Sequence, residues 1–140
     1  IRFKESDVRP MGRAAAGVRA MRIAKNDELV GADVIEAKEK DALLLVMGEN
    51  GYGKKTNVKQ YRLQRRGGTG VKTIRVTSKT GPMVSAKIVT PDVEELIAIS
   101  KKGHVIRTSL ASIPELSRAT QGVRIMRLES GDAIASLACL

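Results

Sequence analysis

The residues best suited to chemistry in this chain are Gln64-Arg65-Arg66-Gly67-Gly68-Thr69-Gly70, where two guanidinium groups stand directly beside glycines. Arginine offers a planar fork of donors that matches phosphate oxygens, and glycine lets backbone N–H groups approach closely. The pairing suits a phosphate. A Gly-Gly pair also serves a plain tight turn flanked by solvated arginines, so the motif takes its meaning from its context.

That context is a repeat. Gly17, Gly70 and Gly122 stand 53 and 52 residues apart. After them the chain reads Val18-Arg19-Ala20-Met21-Arg22-Ile23, Val71-Lys72-Thr73-Ile74-Arg75-Val76 and Val123-Arg124-Ile125-Met126-Arg127-Leu128. The alternation predicts strands with Met21/Ile23, Ile74/Val76 and Met126/Leu128 on one face. Arg22, Arg75 and Arg127 fall on the other, and the valine before them marks a bulge or a strand start. Upstream, an offset of 52 lays Leu44 on Leu96, Leu45 on Ile97, Met47 on Ile99, Gly51 on Gly103, Lys55 on Arg107, Thr56 on Thr108 and Arg66 on Arg118. In a partial first unit, at an offset of 53, Arg2 meets Lys55 and Arg13 meets Arg66. One basic residue therefore recurs at the same place in three turns.

Each unit reads as about four short strands. In the middle unit these are residues 42–48, a strand through Thr56 after a hairpin turn at Glu49-Asn50-Gly51, then 71–77 and 83–90 joined by a turn at 79–82. Residues 57–64 form a crossing segment with one short helical turn. The third unit repeats this at 95–100, 104–108, 123–128 and 133–140. The first supplies 1–4, a turn at 10–17, 18–24 and 29–36. The fold expected is all-β, a propeller-like array of four-stranded blades with two and a half to three present. Residues 1–140 then form part of one domain: a partial blade at 1–37 and blades at 42–90 and 94–140. Because the repeat starts part-way through a unit, a piece of a longer protein is expected.

Composition narrows the partner. The formal net charge is +10, and no acidic residue lies between Glu49 and Asp92. Such a field attracts polyanions. With only Phe3, Tyr52 and Tyr61 as aromatics, the chain is poorly equipped to stack the bases of a single strand. Duplex DNA, held by its phosphates, needs no rings. One cysteine, Cys139, and one imidazole, His104, argue against a disulfide framework and against a zinc site; a reducing cytoplasm is expected. No apolar run is long enough to span a membrane.

Taken with the 52-residue units, Ile1-Arg2-Phe3-Lys4-Glu5-Ser6, Asn50-Gly51-Tyr52-Gly53-Lys54 and the Gln64–Gly70 turn resemble the family of DNA gyrase A C-terminal domains. The resemblance covers the whole chain. It implies a β-pinwheel whose basic rim wraps duplex DNA, so that the parent type II topoisomerase supercoils DNA negatively with ATP and magnesium used elsewhere in the holoenzyme. It also implies two protein partners, the rest of gyrase A and the gyrase B polypeptide, and a bacterial cytoplasmic, nucleoid-associated location. In the family's box a basic residue stands where this chain has Thr69, and the box lies in the first blade. A unit precedes Gln64–Gly70 here, so it resembles a box-like turn of a later blade.

The DNA-binding candidates are Arg13, Arg19, Lys54, Lys55, Lys59, Arg65, Arg66, Lys72, Lys101, Lys102, Arg107, Arg118 and Arg124. Those in turns or at hairpin tips are favoured over Arg22, Arg75 and Arg127, whose stems can cover neighbouring blades. No catalytic constellation is found, and no cofactor or metal is expected in this chain. Glu94 and Glu95 are adjacent and point to opposite faces of a strand. Residues 48–55 approach a phosphate-binding loop, but Lys55 stands where Ser or Thr must hold magnesium, and no helix follows. His104 reads as a loop histidine and Cys139 as a core residue. Two other functions fit parts of the pattern: the equivalent domain of topoisomerase IV, directing substrate choice, and a propeller module for acidic protein partners.

Overall fold

The computed structural model describes all of residues 1–140. Its strands are β1 (Arg2–Phe3), β2 (Leu43–Gly48), β3 (Tyr52–Asn57), β4 (Leu63–Gln64), β5 (Met83–Val89), β6 (Glu95–Ser100), β7 (Val105–Ser109), β8 (Val123–Arg124) and β9 (Ile134–Cys139). No helix is long and apolar enough to cross a membrane. Short 3-10 turns at Glu5–Asp7, Val58–Gln60 and Leu110–Ser112 follow the strand at matching places in all three repeats. The aligned glycines share one backbone conformation, with φ of 83° at Gly17, 80° at Gly70 and 81° at Gly122. That left-handed region costs glycine little and other residues more.

The chain divides into two compact units. One joins residues 1–29 with 61–71, and the other joins 30–60 with 72–140.

The second unit holds the hydrophobic core. Burial alternates along β6 as a strand requires: Leu96, Ala98 and Ser100 are buried while Glu95, Ile97 and Ile99 are partly covered. β2 is central in a sheet of order β5-β2-β3-β8, and β6 is central in a sheet of order β7-β6-β9. Leu45, Val89, Leu96, Leu110 and Ile113 pack as one cluster, and Met47, Ala98, Met126 and Ile134 as another. A large apolar side chain, fully buried, stabilises the fold by roughly 1.5–3 kcal/mol. Cys139 is partly buried against the first cluster, and its burial pushes the thiol pKa up.

Here the structure corrects the strand reading. Residues 71–77 form no strand, and the fourth strand of the β2 sheet is supplied by the following repeat. Tyr52 pairs with Arg124 and Gly53 with Val123, antiparallel. Ile74 is buried while Val76 is 59% exposed, so the two do not share a covered face. Residues 18–24 and 29–36 are likewise outside any strand. The β7 sheet has three strands, not four.

The first unit is organised without a comparable core; Tyr61 is its one buried apolar residue. It is held by the parallel pairing of β1 with β4, Arg2 against Leu63 and Phe3 against Gln64.

Candidate nucleic-acid interface

The Gln64–Gly70 turn is seated on the first repeat by backbone bonds. The Gly67 N–H donates to the Ala20 carbonyl at 2.7 Å and the Arg22 N–H to the Gly68 carbonyl at 2.9 Å. The Arg66 guanidinium donates from Nε to the Asp7 carbonyl at 2.9 Å and from Nη1 to the Arg19 carbonyl at 3.2 Å. Arg65 is exposed and joins no ion pair. Residues 62–69 line an open cleft of about 510 Å³. The turn thus divides its two arginines, one fastening the loop and one turned to solvent.

The equivalent turn of the third repeat uses the same contacts within the second unit. Lys55 bridges Glu115 in parallel, as Arg2 does Leu63. The Arg75 N–H donates to the Thr120 carbonyl at 3.1 Å, matching Arg22 and Gly68. Arg118 Nη1 donates to the Lys72 carbonyl at 3.0 Å, matching Arg66 and Arg19. Recurrence of this arginine therefore has a structural cause: it satisfies a carbonyl of the preceding repeat. A net contribution of about 1.5–3 kcal/mol is usual for a charged donor. Arg13, at the same place in the first repeat, is exposed.

Lys54 corrects the surface reading of the hairpin tip. It is 0% exposed, and its Nζ donates to the Ser117 carbonyl and, at 2.7 Å, to the Arg118 carbonyl. Tyr52, Lys54 and Thr56 share one face of β3, and that face lies under the third repeat's turn; Thr56 Oγ1 donates to the Leu116 carbonyl at 2.8 Å. Desolvation first, and repulsion from Arg118 second, push the Lys54 ammonium down to about 8. It offers nothing to a ligand at the surface. Lys55 is partly buried, with Nζ on the Leu110 carbonyl at 2.6 Å.

The other candidates are exposed and differ in how they are held. Lys59 pairs with Asp41 at 3.1 Å, Lys101 with Glu49 at 3.1 Å, and Arg107 donates from Nε to Glu95 at 2.7 Å. Glu95 raises the already high pKa of Arg107 by hydrogen bonding and charge. Lys102 reaches the Ser130 carbonyl at 2.8 Å. Arg19 and Lys72 are exposed, each lending its carbonyl to a turn arginine.

Two features escape the sequence reading. Arg124 donates to the Tyr52 hydroxyl from Nη2 at 3.0 Å, and its guanidinium carbon lies 5.5 Å from the ring centroid. Lys79 sits over the same ring at 5.3 Å. This gathers two cations on one tyrosine, a cation–π arrangement. The Arg124 hydrogen bond, outweighing desolvation, lowers the phenol pKa. The signal was a tyrosine directly after the hairpin glycine Gly51. The second feature is Asp132, buried, which accepts from the Lys102 N–H at 3.1 Å, the Ala133 N–H at 2.8 Å and His104 Nδ1 at 3.2 Å. Burial alone would raise its pKa, but hydrogen bonds from Ser100, Ala133, His104 and Lys102 hold it well below the usual carboxylate range. His104, read as a free loop residue, is thereby tied to the loop opposite.

No group of three or more His, Cys, Asp or Glu residues is placed to hold a metal ion. The geometry is that of a repeated, backbone-anchored cationic turn. A family model described as the DNA gyrase C-terminal domain, beta-propeller, matches residues 1–36, 42–90 and 94–140. The chain belongs to this family. The DNA gyrase A subunit from Staphylococcus epidermidis (strain ATCC 12228 / FDA PCI 1200) is 43% identical over 138 residues, covering 99% of this chain and 15% of the relative. The chain thus spans about 15% of the length of the curated relatives it matches. A solved DNA gyrase A C-terminal domain superposes with a TM-score of 0.85 at 29% identity, over 98% of this chain and 45% of that one. The C-terminal domain of a DNA topoisomerase IV gives a TM-score of 0.89 at 22% identity, over 99% and 42%. That second likeness establishes the shared all-β fold. The β-pinwheel expected of the gyrase family is accordingly the fold of this chain.

Proposed function

We propose that the chain binds duplex DNA through its basic turns and wraps it, serving as part of a gyrase A polypeptide that works with gyrase B in the bacterial nucleoid. One observation carries the reading. Two turns with different sequences, Arg65-Arg66-Gly67-Gly68 and Ser117-Arg118-Ala119-Thr120, keep the same arginine-to-carbonyl anchor and carry basic residues on the segment that receives it. Anchoring fixes the loop backbone before any ligand arrives, which lowers the ordering cost of binding. The 43% identity to a gyrase A relative favours gyrase over topoisomerase IV, whose likeness is one of fold.

Phosphate contacts position a duplex without reading its sequence, so binding is indifferent to sequence and sensitive to salt. Bending a short site by about 40–90° costs on the order of 1–6 kcal/mol, which counterion release must offset. With about 6–10 phosphates neutralised, affinity falls roughly 10³–10⁵-fold between about 50 and 200 mM salt. The chain itself supplies no catalytic group and no cofactor site to this process. The deciding experiment relaxes a plasmid with the protein bound and reads its linking number on a gel. A shift of one sign supports wrapping; an unchanged linking number with equal affinity for acidic peptides rejects it for a protein-interaction module.

A further inference from the structure

Lys54 is a buried lysine with no carboxylate partner. Its ammonium meets two main-chain carbonyls, those of Ser117 and Arg118. An apolar residue would fill the site at lower cost, since burying a charge without a counter-ion is expensive. The other repeats take that course: Ile1 and Ile106 stand at the positions aligned with Lys54. Beneath the Gln64–Gly70 turn, Ile1 Cδ1 lies 3.3 Å from where a Cβ on Gly68 would be. The lysine is therefore specific to the middle repeat, and it lies under the turn that has Ala119-Thr120 in place of the glycine pair.

We propose that Lys54 is a positioning residue: its buried ammonium clamps the Ser117 and Arg118 carbonyls, and so fixes the third repeat's turn with Arg118 set for duplex phosphates. The last link rests on the DNA-binding function proposed above. Arg118 is the charged group that acts on Lys54, and Tyr52, two residues along the same face of β3, is the other nearby group that titrates at alkaline pH. A phosphate brought to Arg118 relieves the repulsion between the two cations, so DNA binding and protonation of Lys54 favour one another.

Burial of the ammonium also leaves a signature in the pH dependence of stability. The Lys54 pKa falls from 10.5 to about 8 on folding. Between those values the unfolded chain binds more protons, so the wild type gains stability as pH rises through that window. Lys54→Met, which removes the buried charge, holds or raises Tm at pH 7 and abolishes this alkaline gain.

The test measures anisotropy of a fluorescent duplex of about 30 base pairs at fixed salt, from about pH 7 to 9.5, with hydrogen exchange of the 116–120 amides recorded without DNA. The expected result is a wild-type affinity that weakens about tenfold across the range, with protection of the 116–120 amides kept because the neutral amine still donates to both carbonyls. Lys54→Met is expected to bind about tenfold more weakly at pH 7 and to show a flat pH profile, while Tyr52→Phe keeps the wild-type profile. Lys54→Met with wild-type protection, affinity and pH profile overturns the proposal. So does a fall in Tm as large as the fall in affinity, which assigns Lys54 to stability alone; Lys54→Ile repeats this arm with the residue found in the other repeats. A wild type with no salt-dependent affinity for duplex overturns the DNA-binding reading instead, and the exchange data then judge the clamp by itself.

Discussion

The turns at Gln64–Gly70 and Leu116–Gly122 are built by one rule on different foundations. Both are stitched to the preceding repeat by a parallel bridge, a backbone N–H and an arginine on a carbonyl. The first is rich in glycine and rests on Ile1; the second has lost two glycines and rests on a buried ammonium. The difference teaches that the anchor is the invariant and the loop chemistry is free to change. It also separates residues that hold a turn from residues that a turn presents.

The largest effect expected from breaking this comparison lies at the closing glycines. A Cβ on Gly122 would stand 2.4 Å from the Gly53 carbonyl oxygen, at a φ of +81°. Gly122→Ala is expected to cost roughly 2–4 kcal/mol, read from chemical denaturation, because backbone on both sides must shift. Gly17→Ala, with a closely similar φ but open space around it, is expected to cost about 1 kcal/mol. Equal losses at the two sites would remove the argument that Gly122 is fixed by close approach to β3.

The next effect sharpens the division of labour within one turn. Arg66→Ala is expected to lower stability by about 1–2 kcal/mol and DNA affinity together, since it frees the Asp7 and Arg19 carbonyls. Arg65→Ala should leave Tm in place, weaken duplex binding and reduce the slope of log affinity on log salt by about one. A stability loss at Arg65 matching that at Arg66 would show that both arginines are structural. The smallest effect lies away from the turns. Glu95→Gln releases Arg107 from its ion pair, with a stability change of at most about 1 kcal/mol and a modest gain in duplex affinity. Unchanged affinity in a binding titration would place Arg107 off the DNA path.

Much of the fold was legible because local pattern and tertiary environment agree. Glu95–Ser100 reads as a strand in sequence and alternates in burial, and the hairpin at Glu49-Asn50-Gly51 closes where its turn residues predict. The failures have a common cause. Residues 71–77 alternate well, but a strand needs an edge to pair with, and the edge of β3 is taken by Val123 and Arg124 from the following repeat. Lys54 reads as a hairpin-tip cation because side-chain type cannot reveal a loop 63 residues away folding over it. Arg66 and Arg118 stand out in the sequence by recurrence, yet recurrence is equally the mark of a carbonyl that must be satisfied. Exposure and bonding, absent from the string of letters, distinguish them from Arg65.

The borrowed strand β8 has a consequence for how such chains vary. Because a sheet is finished by residues belonging to its successor, no repeat is a self-sufficient module. Deleting or transplanting one would leave its neighbour's ladder two rungs short, so units of this kind must diverge in matched pairs, and damage to one is inherited by the one before it.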